Sequence, residues 1–117
     1  MQHANLSGSY MERCSLFFTR LGGGNLQGAQ LSKANLAHAD FQDADLRDTI
    51  LVGANLSEAR VGGARMEGTH LGSVQNWEEI IYIGGAVISS VRNPPVGFLE
   101  WAKNHGAIVD GEVMSEE

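Results

Sequence analysis

Every fifth residue from Leu6 onward is large and apolar. The column runs Leu6, Met11, Leu16, Leu21, Leu26, Leu31, Leu36, Phe41, Leu46, Leu51, Leu56, Val61, Met66 and Leu71. Two residues ahead of each stands a small one: Ala4, Ser9, Cys14, Thr19, Gly24, Ala29, Ala34, Ala39, Ala44, Thr49, Ala54, Ala59, Ala64 and Thr69. Average composition would produce either column by chance less than about one time in a million. A period of five fits neither the 3.6 of a helix nor the 2.0 of a flat strand, so neither keeps one face apolar over this span. A backbone that turns a corner every five residues does. Each pentapeptide then points one small and one large residue inward, two positions apart as extended chain requires, and three outward. The recurrent Gly, Asn and Asp beside these positions suit corners with unusual backbone angles.

The triplets Ala4-Asn5-Leu6, Ala34-Asn35-Leu36, Ala39-Asp40-Phe41, Ala44-Asp45-Leu46 and Ala54-Asn55-Leu56 resemble the consensus of the pentapeptide-repeat family. The resemblance covers residues 2–73. It implies an all-β fold, a right-handed quadrilateral β-helix with four pentapeptides per coil. The match is weakest at Ser9-Tyr10-Met11, Cys14-Ser15-Leu16 and Thr19-Arg20-Leu21, which predicts a looser first coil.

With four repeats per coil, residues twenty apart stack at roughly 4.8 Å, and about three and a half coils make a rod on the order of 17 Å long. Leu26, Leu31, Leu36, Phe41, Leu46, Leu51 and Leu56, with Ala34, Ala39, Ala44 and Ala54, are then the structural core. The bulk of Phe41 is balanced by the smaller Val61 beneath it. On the outside, Arg20, Asp40 and Arg60 stack as plus, minus, plus; Asp45 lies over Arg65, Arg47 over Glu67, and His38 between Phe18 and Glu58. Such cross-coil pairs are worth a few tenths of a kcal/mol each.

The apolar fraction is ordinary at 43%, but aromatics are only 7% and glycines number 15, which suits a thin core of small residues. Net charge is −6 and argues against direct nucleic-acid binding and membrane-surface binding. The charge is uneven: residues 1–73 carry six basic and seven acidic side chains, residues 74–117 two and seven. The one cysteine, Cys14, forms no internal disulfide. With no signal-peptide pattern at the N-terminus, a cytoplasmic setting is expected.

Past Leu71 the register fails, and 74–117 is expected to be a capping segment. Asn76-Trp77-Glu78-Glu79 has the form of a helix start, while Gly84-Gly85 between apolar runs suits a hairpin; irregular extended chain continuing the last coil is preferred to both. Asn93-Pro94-Pro95 opens a short helix near 95–105. It shows Phe98, Trp101, Ala102 and His105 on one face and has Gly106 as its stop. With Trp77, Phe98 and Trp101 it would cover the open end of the β-helix. Met114 to Glu117 form an acidic tail.

No catalytic, cofactor or metal constellation is visible: one cysteine and four scattered histidines make no zinc site, and Gly22-Gly23-Gly24 lacks the Lys-Ser/Thr of a phosphate loop. Cys14 sits at an inward position and reads as inert. Two groups are candidate contact surfaces. Phe17 and Phe18 are aromatic at outward positions. Asp40, Asp43, Asp45 and Asp48 are expected around one corner, as a solvated corner, a contact patch or a cation site. The expected role is a non-enzymatic interaction or scaffold module whose partner is another protein. A homodimer is expected through the uncapped first coil. The alternative, drawn from the family, is a DNA mimic that binds DNA gyrase.

Overall fold

A computed structural model describes residues 3–109; the acidic tail lies outside the described residues. Parallel bridges join residues twenty apart without interruption from Asn5↔Asn25 to Asn55↔Gln75. The chain is therefore a β-helical ladder, with one bridge on each side of each coil. All of the expected core residues from Leu26 to Leu56 are buried at 2% exposure or less, as are Leu21, Phe41, Val61 and Met66. Leu6, Met11, Cys14 and Leu16 are partly buried and pack against this core. Thr49 and Thr69, at inward small positions, donate their hydroxyls to the carbonyls of Leu26 and Leu46 at 2.7 and 2.6 Å. Their buried oxygens are thereby satisfied.

The consensus follows from tracking the five backbone N–H groups of each pentapeptide. In the repeat around Leu36, the N–H groups of Leu36 and His38 donate to Asn55 and Ser57 of the next coil. That of Ala39 donates back to Leu36 and closes the corner, and that of Asn35 donates to Cys14 of the coil before. One N–H is left over, that of Ala37. The side chain of Asn35 accepts it at 3.1 Å. The same contact recurs from Asn5, Asn25, Asp40, Asp45 and Asn55 to the residue two ahead of each. Asn or Asp precedes the large residue because it completes the backbone pairing.

Each corner needs one residue at positive φ, the mark of a type II turn. Every fifth residue from His3 to Ser73 takes it, and of these fifteen only six are glycine. Phe18, Lys33, His38, Asp43, Asp48 and Glu58 among others hold φ between 55° and 61°, a left-handed conformation that costs a side-chain-bearing residue roughly 1–2 kcal/mol.

The ladder runs past residue 73, where the repeat columns close. Arg60, Arg65 and His70 bridge to Tyr82, Val87 and Arg92, so the spacing changes from twenty to twenty-two residues. The two extra residues are taken up around a 3-10 turn at Trp77–Glu79, η1. Asn76 gives no side-chain cap there; its amide instead donates to Asn55 Oδ1 at 2.8 Å. Gly84-Gly85 makes one more corner of the rod, closed by Ala86 N–H on the Ile83 carbonyl, and the bridges on either side are parallel. A hairpin is excluded. Extended chain continuing the last coil is what forms.

Helix α1 spans Phe98–Asn104, later than Pro95 because Phe98 N–H first closes a turn on the Pro95 carbonyl. It ends as expected at Gly106, with Ala107 N–H on Ala102 and Gly106 N–H on Lys103. This is a Schellman stop. Phe98 and Ala102 are buried in the same core as the repeats. Trp77 packs edge-on against both Phe98 (5.7 Å) and Trp101 (5.6 Å). His105 is exposed, stacks near Trp101 and donates Nδ1–H to its carbonyl at 2.7 Å. After the helix the chain rejoins the ladder, bridging Ile108 to Val87.

Candidate interaction surface

One side of the rod carries a shallow groove of about 330 Å³. A first column in it contains Phe18, His38 and Glu58; a second contains Arg20, Asp40 and Arg60; Ile81 closes the far end. The constant register builds it. Residues twenty apart on a rigid ladder have no freedom to slide, so side chains chosen at one position in successive coils become neighbours. Phe18 stacks on His38 with centroids 4.3 Å apart and rings 13° from parallel. His38 Nδ1 lies 3.6 Å from Glu58. Phe17 meets both Phe18 and His38 edge-on, at 4.4 and 5.5 Å. Phe17 is 50% exposed, Phe18 61% and Ile81 51%.

The four aspartates do not form one cluster. Asp40 and Asp45 belong to different ladders, bridged to Arg60 and Arg65. Asp40 and Asp43 line a second shallow groove with Gln42 and His3. Asp43 and Asp48 sit at positive-φ corners and lay their carboxylates over Gly63 and Gly68 of the next coil. Among the described residues no group of His, Cys, Asp or Glu is arranged to hold a metal ion.

The stacking of outward charges follows the expected register, and His38 lies against Glu58 as expected, but the arginine–carboxylate pairs form within a repeat. Asp45 pairs with Arg47 of its own repeat, at 2.7 and 2.9 Å, and Arg65 lies 3.8 Å from Glu67. The reason is geometric: residues two apart flank one inward residue on the same outer face, so a long arginine side chain at one of them reaches the carboxylate at the other. Arg20 and Arg60 are exposed, and no described carboxylate lies within 4 Å of either guanidinium. The hydrogen bonds of Arg47 hold the Asp45 carboxyl below the usual carboxylate range against the opposing effect of burial. Burial pushes the Cys14 thiol up, so thiolate is scarce near neutral pH.

Pentapeptide-repeat models match residues 1–32, 14–51 and 34–71, with eight copies in all. The chain belongs to the pentapeptide-repeat family. It is similar to a pentapeptide repeat protein from the thylakoid lumen of Arabidopsis thaliana, at 26% identity and a TM-score of 0.54 over 75% of this chain and 60% of that one. A trypsin-treated form of QnrB1, a plasmid-mediated fluoroquinolone resistance protein, superposes with a TM-score of 0.56 at 15% identity. That alignment covers 77% of this chain and 56% of QnrB1, and the likeness is one of fold alone. The chain thus spans well under two thirds of the length of both structures. No curated protein sequence matches it significantly. One column of the groove, Phe18, His38 and Glu58, stands at the positive-φ corner position, and the other, Arg20, Asp40 and Arg60, at the position where the quoted triplets carry Asn or Asp. Phe17 and Phe18 stand out in the sequence, but Ile81 reaches the groove only through the twenty-two-residue spacing of the last coil.

Proposed function

We propose that this pentapeptide-repeat rod is a non-enzymatic interaction module that docks another protein on the Phe17, Phe18, His38 and Ile81 side. The rod itself is a right-handed, four-sided β-helix extended by the coil that runs to Arg92. It is closed at that end by α1 and the Trp77, Phe98 and Trp101 cluster. The observation that carries the reading is the exposed aromatic pair. Phe17 and Phe18 stay 50% and 61% exposed on a rigid wall, and Phe18 tolerates a φ of 61° that its bulk disfavours. Apolar surface held outward at such cost fits a contact that covers it. Another protein is the natural partner, since the same groove interleaves both signs of charge with apolar groups. The reducing cytoplasm is the proposed setting and suits the lone Cys14 thiol.

Mimicry of DNA toward gyrase would require a rail of negative charge; here the exposed residues of the groove include Arg20 and Arg60 beside Glu58. The test is affinity capture from cells with the wild-type chain and an F17S/F18S variant whose thermal unfolding is unchanged. The reading predicts a protein retained by the first bait and lost from the second. Equal retention by both would rule this side out as the docking surface.

A further inference from the structure

We propose, building on the docking side assigned above, that its occupant is a second copy of the same chain, set antiparallel across a two-fold axis. The order of residues along the two columns favours that arrangement. One ladder reads Arg20, Asp40, Arg60, Tyr82 on four successive rungs. Beside it run Phe18, His38 and Glu58, with Ile81 at the fourth rung. A two-fold axis across the rod places each column opposite itself with the rung order reversed.

Two placements of the axis are worth comparing. If it passes through the rung of Asp40, then Arg20 faces the partner's Arg60 and Asp40 faces the partner's Asp40. Both contacts join like charges. If it passes midway between the rungs of Asp40 and Arg60, every contact becomes favourable. Asp40 meets the partner's Arg60, His38 meets the partner's Glu58, and Phe18 meets the partner's Ile81. Arg20 meets the partner's Tyr82, whose ring rests on Gly62 and Gly84 yet is 51% exposed, a fit for a cation over an aromatic ring. Half a rung of shift thus separates repulsion from complementarity along the charged column. Arg20 and Arg60, neither of which has a described carboxylate within 4 Å in the single chain, each gain a partner there.

The contact is small. Four rungs at roughly 4.8 Å by a side of roughly 20 Å give on the order of 800 Å² buried in total, at the weak end of specific interfaces. The dimer therefore forms in the upper micromolar range, on the order of 100 μM.

Sedimentation equilibrium of the full chain, from about 10 μM to about 1 mM, tests this. The weight-average mass should climb from 12.6 kDa toward twice that value. Arg60→Asp sets like charges together at two symmetric positions and should weaken association about tenfold or more. Phe18→Ser should do the same by a different route. The double variant D40R/R60D exchanges the charges and should regain affinity. A monomer at every concentration overturns the dimer while leaving the hetero-partner reading to its own capture test. A dimer indifferent to both R60D and F18S is one formed elsewhere and also overturns it. A dimer weakened by R60D but not regained in D40R/R60D, with circular dichroism unchanged, overturns the antiparallel register: a parallel pair would set Asp40 against the partner's His38.

Discussion

Asn35 Oδ1 accepts the backbone N–H of Ala37 at 3.1 Å, and Ala37 is only 6% exposed. Removing the acceptor leaves a nearly buried donor unsatisfied, which costs about 1–3 kcal/mol. Asn35→Ala should therefore lower unfolding free energy by about that amount. Asn5→Ala removes the same contact from Ser7, which is exposed and can turn to water; its cost should stay below about 0.5 kcal/mol. Urea unfolding of the two variants compares them directly, and equal losses would contradict this role for Asn35.

Two glycines at positive φ separate backbone strain from crowding. A Cβ on Gly28 meets nothing within 4 Å, whereas one on Gly63 runs into the Asp43 carboxylate. Gly28→Ala should cost about 1–2 kcal/mol through the left-handed backbone alone. Gly63→Ala should cost more, because Asp43 must move. The double variant G63A/D43A should return to the Gly28→Ala level in thermal unfolding; failure to recover would mean that Asp43 is not what crowds the site.

Asp45 supplies the pH dependence. Its folded carboxyl is held below the ordinary range by Arg47, so ionisation favours the folded state. That contribution is complete above the unfolded carboxylate pKa of about 3.9. It is lost as pH falls through the lower, folded value. Asp45→Asn keeps an acceptor for the Arg47 N–H but loses the charge. The variant should melt below wild type at pH 7, and the gap should narrow toward pH 3 and in high salt. A gap that widened on acidification would reverse the sign of the argument.

Phe98 tests whether α1 is structural. It is 1% exposed and shares the core with the repeats, so Phe98→Ala should cost about 3–5 kcal/mol. Leu99, on the same helix but 40% exposed, should lose less than about 1 kcal/mol on the same change. Equal, small losses for both in urea unfolding would show that the helix merely rests on the rod.

The period of five is legible because the inward columns admit only one size of residue each. A Leu displaced by one position would point into water. The corner column is not legible in the same way. Lys33, Arg13 and Glu58 hold the same positive φ as Gly28, and an exposed corner tolerates any of them at a modest energetic cost. The last coil escapes detection for a different reason. The extra residues near Trp77 shift Ile83, Ala86 and Ile88 out of the five-residue columns, although all three are buried like their predecessors. Pairing also resists sequence reading: register alone puts Asp45 beside Arg65, but the flexible Arg47 two residues away folds back and takes the carboxylate first. Half of the docking side is therefore visible in Phe17 and Phe18. The remainder, Ile81 against Arg60, depends on a spacing that only the three-dimensional ladder reveals.

The most direct test of the ladder is amide hydrogen exchange at single-residue resolution. From Asn25 to Thr69, four N–H groups of each pentapeptide are bound by backbone, and the fifth only where Asn or Asp stands two residues before it. The expected result is slow exchange at Ala37, Gln42 and Arg47, and fast exchange at Glu12 and Ser32, which follow Tyr10 and Gln30. Protection without a five-residue period, or Ser32 as slow as Ala37, would contradict the fold described above.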